Sequence, residues 1–144
     1  MASGGGTLLA FDYGRRRIGV AVANTLTRHA RALVTLDAGE SGPDWALIAA
    51  LLDQWRPARL VVGVPYNDAA SGKDIATEAQ RFARRLHGRF GLPVDTVDEV
   101  LSSAEAQARL TAERQARRRG RIAKKDIDSA AAAVILQDWL DNHP

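Results

Sequence analysis

The sequence predicts an α/β fold in which helices cover a mixed β-sheet, and two observations support this prediction. Apolar runs at 8–11 and 18–23 flank a glycine-containing turn, which is typical of an antiparallel hairpin. An apolar run at 59–64 precedes an amphipathic stretch at 74–90, which leads to another strand-like run. This strand–helix–strand order supplies the long crossover connection that parallel neighbours require.

Five strands are expected, three in an antiparallel meander and then two in parallel. The predicted strands are Leu8–Phe11, Ile18–Ala23, Ala32–Leu36, Arg59–Val64 and a last strand from Pro93 to about Val97. Each is a short run of apolar residues bounded by Gly, Pro, Asp or Asn, as strands usually are. The sheet therefore contains both strand directions.

Helical spacing of apolar residues and helix boundary signals predict four helices. These cover residues 45–55, 74–90, 103–119 and 127–140. Asp44 and Asp126 are placed to cap the first and last of them, because an aspartate accepts hydrogen bonds from the first free amides of a helix. Gly91 and Pro57 lie just past two of the predicted helix ends.

Composition predicts one globular domain over residues 1–144, with residues 1–6 as a flexible N-terminus. The chain has 144 residues, of which 46% are hydrophobic and none is cysteine, so disulfides and thiolate metal sites are excluded. The start MASGGGT has no basic segment followed by a long apolar one. No apolar stretch approaches the roughly 20 residues that cross a bilayer. We expect a cytoplasmic protein without membrane contact.

Positive charge is concentrated in one segment. The net charge is +3, but residues 101–125 contain eight Arg or Lys against two Glu. Such an excess neutralises phosphates and releases their counterions, which indicates a nucleic-acid partner. A solvated, arginine-rich helix end would have the same composition, and charge alone does not separate these two interpretations.

Acidic residues follow the strands that are predicted to end at a common edge. Asp12 follows the first strand, Asp98 and Glu99 follow the fifth, and Asp128 lies in the first turn of the last helix. If the first strand runs parallel to the last two, their carboxyl ends meet at the edge where α/β proteins assemble sites. Clustered carboxylates repel one another, and a divalent cation relieves this repulsion. Taken singly, each acid also fits a turn or helix-capping role.

A cluster of this kind predicts phosphodiester chemistry. Oxygen ligands without cysteine or histidine favour Mg²⁺ or Mn²⁺. Two such ions about 4 Å apart activate a water and stabilise the leaving oxygen in an in-line displacement. The three histidines, His29, His87 and His143, are interpreted as ordinary surface residues and offer no competing nucleophilic triad.

Four segments resemble the YqgF (RuvX) family of pre-16S ribosomal RNA nucleases, which is related to Holliday junction resolvases. The segments are FDYGRRRIGVAVAN, LVVGVPYNDAASG, VDEVLSSAEA and KKDIDSAAAAVILQDWL, and the resemblance extends from about Thr7 to Leu140. It implies a ribonuclease H-like fold and metal-dependent endonuclease activity. It also implies a cytoplasmic role in maturing the 5′ end of pre-16S ribosomal RNA.

The resemblance assigns roles to individual residues of this sequence. Asp12, Glu99 and Asp128 match the family's acidic positions and are implied to be catalytic metal ligands. Arg17 matches a basic position of the first motif. The sequence departs from the family at Val100, where arginine usually follows the glutamate.

Residues that contact the nucleic acid are expected in two further places. Residues 114–125 are predicted to form a mobile basic segment beside the metal site. Together with the hairpin arginine, the expected phosphate-binding residues are Arg17, Arg117, Arg118, Arg119, Arg121, Lys124 and Lys125. The loop after the fourth strand is expected to present Asn67, Ser71 and Gly72 to a phosphate.

Three other functions remain open at this point. A Holliday junction resolvase acting on structured DNA would differ only in its substrate, and a noncatalytic or transcription-associated module would use the basic segment without the acids. An ATP-using kinase or ATPase needs two copies of such a fold, and 144 residues supply one. Pre-16S ribosomal RNA is the expected partner of a monomer or homodimer.

Overall fold

The structure is a computed structural model that describes residues 6–39, 42–64, 74–98 and 124–143. Within these residues it contains six strands and three helices. In chain order they are β1 Thr7–Asp12, β2 Arg17–Asn24, β3 Arg31–Gly39, β4 Gly42–Pro43, α1 Trp45–Trp55, β5 Arg59–Val64, α2 Asp74–Phe90, β6 Val94–Asp98 and α3 Lys124–Asn142.

All six strands belong to one mixed sheet with the order β4-β3-β2-β1-β5-β6. Strands β1, β2 and β3 are antiparallel neighbours, whereas β5 is parallel to both β1 and β6. The predicted strand directions, an antiparallel meander followed by parallel strands, are therefore confirmed. The carboxyl ends of β1, β5 and β6 therefore lie at one edge of the sheet.

The prediction of five strands was wrong by one short strand. Strand β4 has two residues, Gly42 and Pro43, which pair with Gly39 and Ala38 at the end of β3. Gly42 has a φ of +98°, a conformation that glycine adopts at little cost. A glycine and a proline carry no apolar alternation, so no strand pattern was visible in the sequence.

Local signals located α1 and α2 correctly. The Asp44 side chain caps α1 by accepting a hydrogen bond of 3.2 Å from the Leu47 amide. Arg56 ends this helix in a left-handed conformation, immediately before the proline at position 57. Helix α2 covers 74–90 as predicted, and Gly91 follows it with a φ of +69°.

The start of α3 differs from the prediction. The helix begins at Lys124, so Asp126 lies inside it and does not cap it, and Asp128 is its fifth residue. Lysine is a good helix former, so the helix extends ahead of the apolar run that marked its predicted start. The predicted helix at 103–119 lies outside the described residues.

The two faces of the sheet bury different side chains. Large residues such as Phe11, Ile48, Phe82 and Leu86 form the core between the sheet and helices α1 and α2. On the other face, α3 packs its alanines and Leu136 against small residues of β1 and β2. No helix within the described residues has the length and apolar character that a bilayer crossing requires.

Helix α3 approaches β2 most closely at Gly19. A Cβ atom added at this glycine would lie 2.1 Å from the Asp128 carbonyl oxygen and 2.9 Å from the Ser129 nitrogen. Real Cβ atoms do not make backbone contacts this short, so the packing of α3 requires glycine at this position. Glycine is required at position 19 because a side chain has no space there, and not because the backbone adopts a positive φ.

We expect Gly19→Ala to lower the free energy of unfolding by at least about 2 kcal/mol, because the added methyl group forces α3 away from the sheet. Urea denaturation followed by circular dichroism measures the change. Gly88→Ala is the matched control, because a Cβ there meets nothing within 4 Å and alanine favours a helix by about 0.5–1 kcal/mol. Equal stability of the Gly19→Ala variant and the parent would contradict the close approach.

Candidate functional site

Asp12 lies at the carboxyl edge of the sheet between two glycines. It is the last residue of β1 and is paired with Gly19 of β2 and Gly63 of β5. Leu8 and Ala10 of the same strand pack on the α3 side. Because side chains alternate along a strand, Asp12 also faces α3. Neither neighbouring strand has a side chain at this level to cover the carboxylate.

Asp128 is brought to the same place by α3. Its carbonyl group packs on Gly19, and its Oδ2 accepts a hydrogen bond of 2.5 Å from Nε of Arg17. Arg17 and Gly19 are two residues apart on β2 and share a face. Directly paired residues have Cα atoms about 4.5–5.5 Å apart. Gly19 is therefore the shared neighbour that brings Asp12 and Asp128 together.

The ion pair of Arg17 and Asp128 is half-buried, with 33% and 30% of the two side chains exposed. A carboxylate offers about four lone-pair positions on two oxygens. The guanidinium therefore orients Asp128 and leaves acceptor capacity for a further ligand. Arg17, the predicted basic residue of the first motif, therefore contacts Asp128, a predicted metal ligand.

The structure brings together two of the three predicted acids. Strand β6 ends at Asp98, paired with Val64 of β5 at the same edge, and Glu99 lies outside the described residues. Across the residues that are described, no three His, Asp or Glu side chains converge as a metal cluster. The full ligand set stays a prediction.

Most of the predicted phosphate-binding residues also lie outside the described residues. These are Asn67, Ser71, Gly72, Arg117, Arg118, Arg119 and Arg121. Lys124 and Lys125 are the first two residues of α3, one turn before Asp128. Their part in binding stays a prediction.

The turn after Asp12 is attached to α2 by a contact that the sequence did not indicate. Glu78 Oε1 accepts a hydrogen bond of 3.3 Å from the Tyr13 hydroxyl, and Nε of Arg15 donates to both carboxylate oxygens at 3.1 Å. These partners are 63 and 65 residues from Glu78, so no spacing rule links them. The one available signal was Glu78 itself, an acid in the second turn of a helix that is basic after this residue.

Electrostatics keeps this contact in one protonation state near neutral pH. Hydrogen bonding from Arg15 is the main reason that the pKa of Glu78 lies below its ordinary value. Burial, followed by the negative charge of Glu78, raises the pKa of Tyr13. The carboxylate is therefore ionised and the phenol neutral, as the hydrogen bond between them requires.

The three histidines are all exposed, as expected. His87 Nδ1 lies 2.9 Å from the Leu92 carbonyl oxygen, and His143 Nδ1 lies 2.8 Å from that of Trp139. The His143 ring also stacks on the Trp139 ring with centroids 4.1 Å apart. These contacts are structural.

Solved structures share this fold. The Thermus thermophilus RuvC in complex with a Holliday junction substrate is 16% identical, with a TM-score of 0.62 and 94% of each chain covered. The yeast mitochondrial Holliday junction resolvase Ydc2 has a TM-score of 0.52 at 10% identity, covering 92% of this chain and 77% of its own. The chain therefore has the RuvC-type, ribonuclease H-like α/β fold that the sequence predicted.

Sequence comparisons identify the family to which this chain belongs. The family model described as RuvX, Holliday junction resolvase, matches residues 6–142. An Azotobacter vinelandii protein named "Putative pre-16S rRNA nuclease" is 45% identical over 142 residues, covering 99% of this chain and 98% of its own. A Burkholderia lata protein with that name is 50% identical over 135 residues, covering 94% and 89%. The chain belongs to the RuvX family.

We expect Glu78→Gln to lower the free energy of unfolding at pH 7 by up to about 1 kcal/mol, the usual range for an exposed ion pair. Because the pKa of Glu78 is depressed in the folded state, its contribution is present above its unfolded value of about 4.3 and is lost as pH falls through the folded value. Urea denaturation between pH 3 and pH 7 measures this dependence.

Arg15→Gln supplies the control for this pair. In a double-mutant cycle the second substitution should cost less than it does in the parent, because the partner is already absent. Strictly additive effects of the two substitutions at pH 7 would contradict the coupling of Glu78 to Arg15.

Proposed function

We propose that this protein is a metal-dependent endonuclease that hydrolyses phosphodiester bonds in the precursor of 16S ribosomal RNA. The observation that carries the proposal is the meeting of Asp12 and Asp128 around Gly19 at the carboxyl edge. The proposed substrate is taken from the names of the RuvX relatives. Since ribosomal RNA of this type matures where ribosomes assemble, the proposed location is the cytoplasm.

The residues at this edge fit a hard divalent cation. Asp12 and Asp128 supply carboxylate oxygens from two different elements, β1 and α3, which meet at Gly19. These are the donors that Mg²⁺ and Mn²⁺ prefer. Glu99 is the proposed third ligand. When bound, the metal would polarise the phosphate and lower the pKa of a water molecule.

The protein's own residues then have separate tasks. Asp12 and Asp128 would hold the cation, and Arg17 keeps Asp128 in a fixed orientation through its Nε. Arg17, Lys124, Lys125 and the other basic residues of 114–125 are proposed to bind phosphates on the substrate. Such contacts fix the register of the polymer without reading its sequence.

A junction-resolving activity on DNA is the second candidate. It is favoured by the likeness in fold to RuvC and by the family description. The same acids would carry either reaction, because both break a phosphodiester bond. The two activities differ in the shape of nucleic acid that the basic residues accept, so a comparison of substrates separates them.

We expect Asp12→Asn and Asp128→Asn each to reduce cleavage at least about 100-fold while RNA binding stays within about 2-fold. Even partners that only support a metal ligand are worth 10- to 100-fold, so a direct ligand should matter more. Purified variants are incubated with precursor 16S RNA and with a four-way DNA junction, each with Mg²⁺, with Mn²⁺ and with EDTA.

Asp53→Asn is the matched control, because Asp53 is an exposed aspartate on α1, remote from the carboxyl edge. It should cut at the parent rate. Parent-like cleavage by Asp12→Asn would refute the proposed chemistry. Cleavage of the junction alone would transfer the activity to the second candidate. If the parent protein cuts neither nucleic acid and both Asp variants bind and process RNA in cells like the parent, the noncatalytic module is favoured.

A further inference from the structure

A groove lies on the face of the molecule opposite α3, between the turn after Asp12, the β3–β4 end and α2. It has two adjoining parts of about 540 and 320 Å³, which share Tyr13 and Glu78. Arg15 and Arg16 line the first part, and Arg81 and Arg85 line the second. We call this surface the α2 groove.

The α2 groove is cationic. Its four arginines are all exposed to solvent, and Glu78 is the one carboxylate among its described lining residues. Glu78 is engaged by Arg15, at 3.0 Å between Nη2 and Oε2. The remaining guanidinium charge exceeds the negative charge in a concave surface. Such a surface attracts a polyanion more strongly than a flat distribution of the same charges would.

An aromatic residue lies at the far end of the arginine row. Arg81, Arg85 and Arg89 follow at intervals of four residues, so they are about 6 Å apart along one side of α2. The guanidinium groups of Arg85 and Arg89 lie 5.2 and 4.2 Å from the Trp45 ring centroid. The Trp45 ring, which also packs against Phe82 and Phe90, thus holds two arginines of the row through cation–π contacts.

The α2 groove begins next to the proposed cleavage site. Tyr13 lines it and directly follows Asp12 in the chain. The Tyr13–Glu78 hydrogen bond places the second turn of α2 at this point, and Arg81 is one turn further along the helix. A strand lying across the carboxyl edge of the sheet would pass from the acids on the α3 side to the arginines on the α2 side.

We propose that the α2 groove binds the phosphate backbone of the substrate on one side of the bond that is cut. This inference rests on the proposed nuclease function and extends it, because it adds a contact surface separate from Arg17 and residues 114–125. The occupant is a nucleic-acid strand, because guanidinium groups repeated along one side of α2, two of them held by the Trp45 ring, match regularly spaced phosphates better than the carboxylates of an acidic protein segment.

The test compares single Arg→Gln substitutions on one helix. Arg81→Gln and Arg85→Gln remove charge from the α2 groove. Arg84→Gln removes the same charge from the same helix, but Arg84 lines a different cavity beside β6. Affinity for a fluorescein-labelled precursor 16S RNA fragment is measured by anisotropy in EDTA at several salt concentrations. Binding is thereby read without cleavage.

We expect Arg81→Gln and Arg85→Gln each to raise the Kd about 3- to 10-fold and to reduce the salt slope by about 0.7–0.9, the value of one phosphate contact. Arg84→Gln should change the Kd less than about 2-fold. Thermal unfolding of each variant checks that the fold is intact. Arg81→Lys keeps the charge and should recover most of the affinity.

Two outcomes would overturn the inference. Equal Kd values for Arg81→Gln and Arg84→Gln would show that the α2 groove has no special contact. Binding of polyglutamate is measured in the same way. If Arg81→Gln weakens it as much as it weakens RNA binding, the groove binds acidic polymers in general. Either result leaves the Asp12→Asn cleavage test standing, so failure of the groove and failure of the nuclease assignment are distinguishable.

Discussion

The close approach of α3 to β2 at Gly19 is the constraint on which the site depends. An alanine-rich helix lies against a strand that has glycine and alanine on the facing side, so the backbones come close enough that no Cβ fits at position 19. That distance sets the position of Asp128. With a larger residue at this position, the helix would move outward, and Asp128 would leave both Arg17 and the neighbourhood of Asp12.

The charges of these side chains determine what the site can bind. Two carboxylates at one edge repel each other in the absence of a cation, and the Arg17 guanidinium compensates one of them. The site is thus stable enough to fold and still rich in oxygen donors. Asp12 and Asp128 both lie at the carboxyl edge of the sheet, where a phosphodiester can approach.

The turn at 13–17 connects the two faces of the sheet. On one side Arg17 holds Asp128 of α3, and on the other Tyr13 and Arg15 hold Glu78 of α2. The acids and the α2 groove therefore lie on opposite faces but are joined through five consecutive residues. A substrate contacting both would be aligned by a turn that is anchored at each end.

The sequence by itself determined the features that depend on neighbouring residues. The β1–β2 hairpin, the Asp44 cap and the bounds of α2 follow from local propensity and spacing. Only the tertiary structure decided the two-residue β4, the requirement at Gly19 and the Glu78 contact, since these join residues without a sequence pattern. Packing between distant segments selects such contacts, and local propensity contains no information about them.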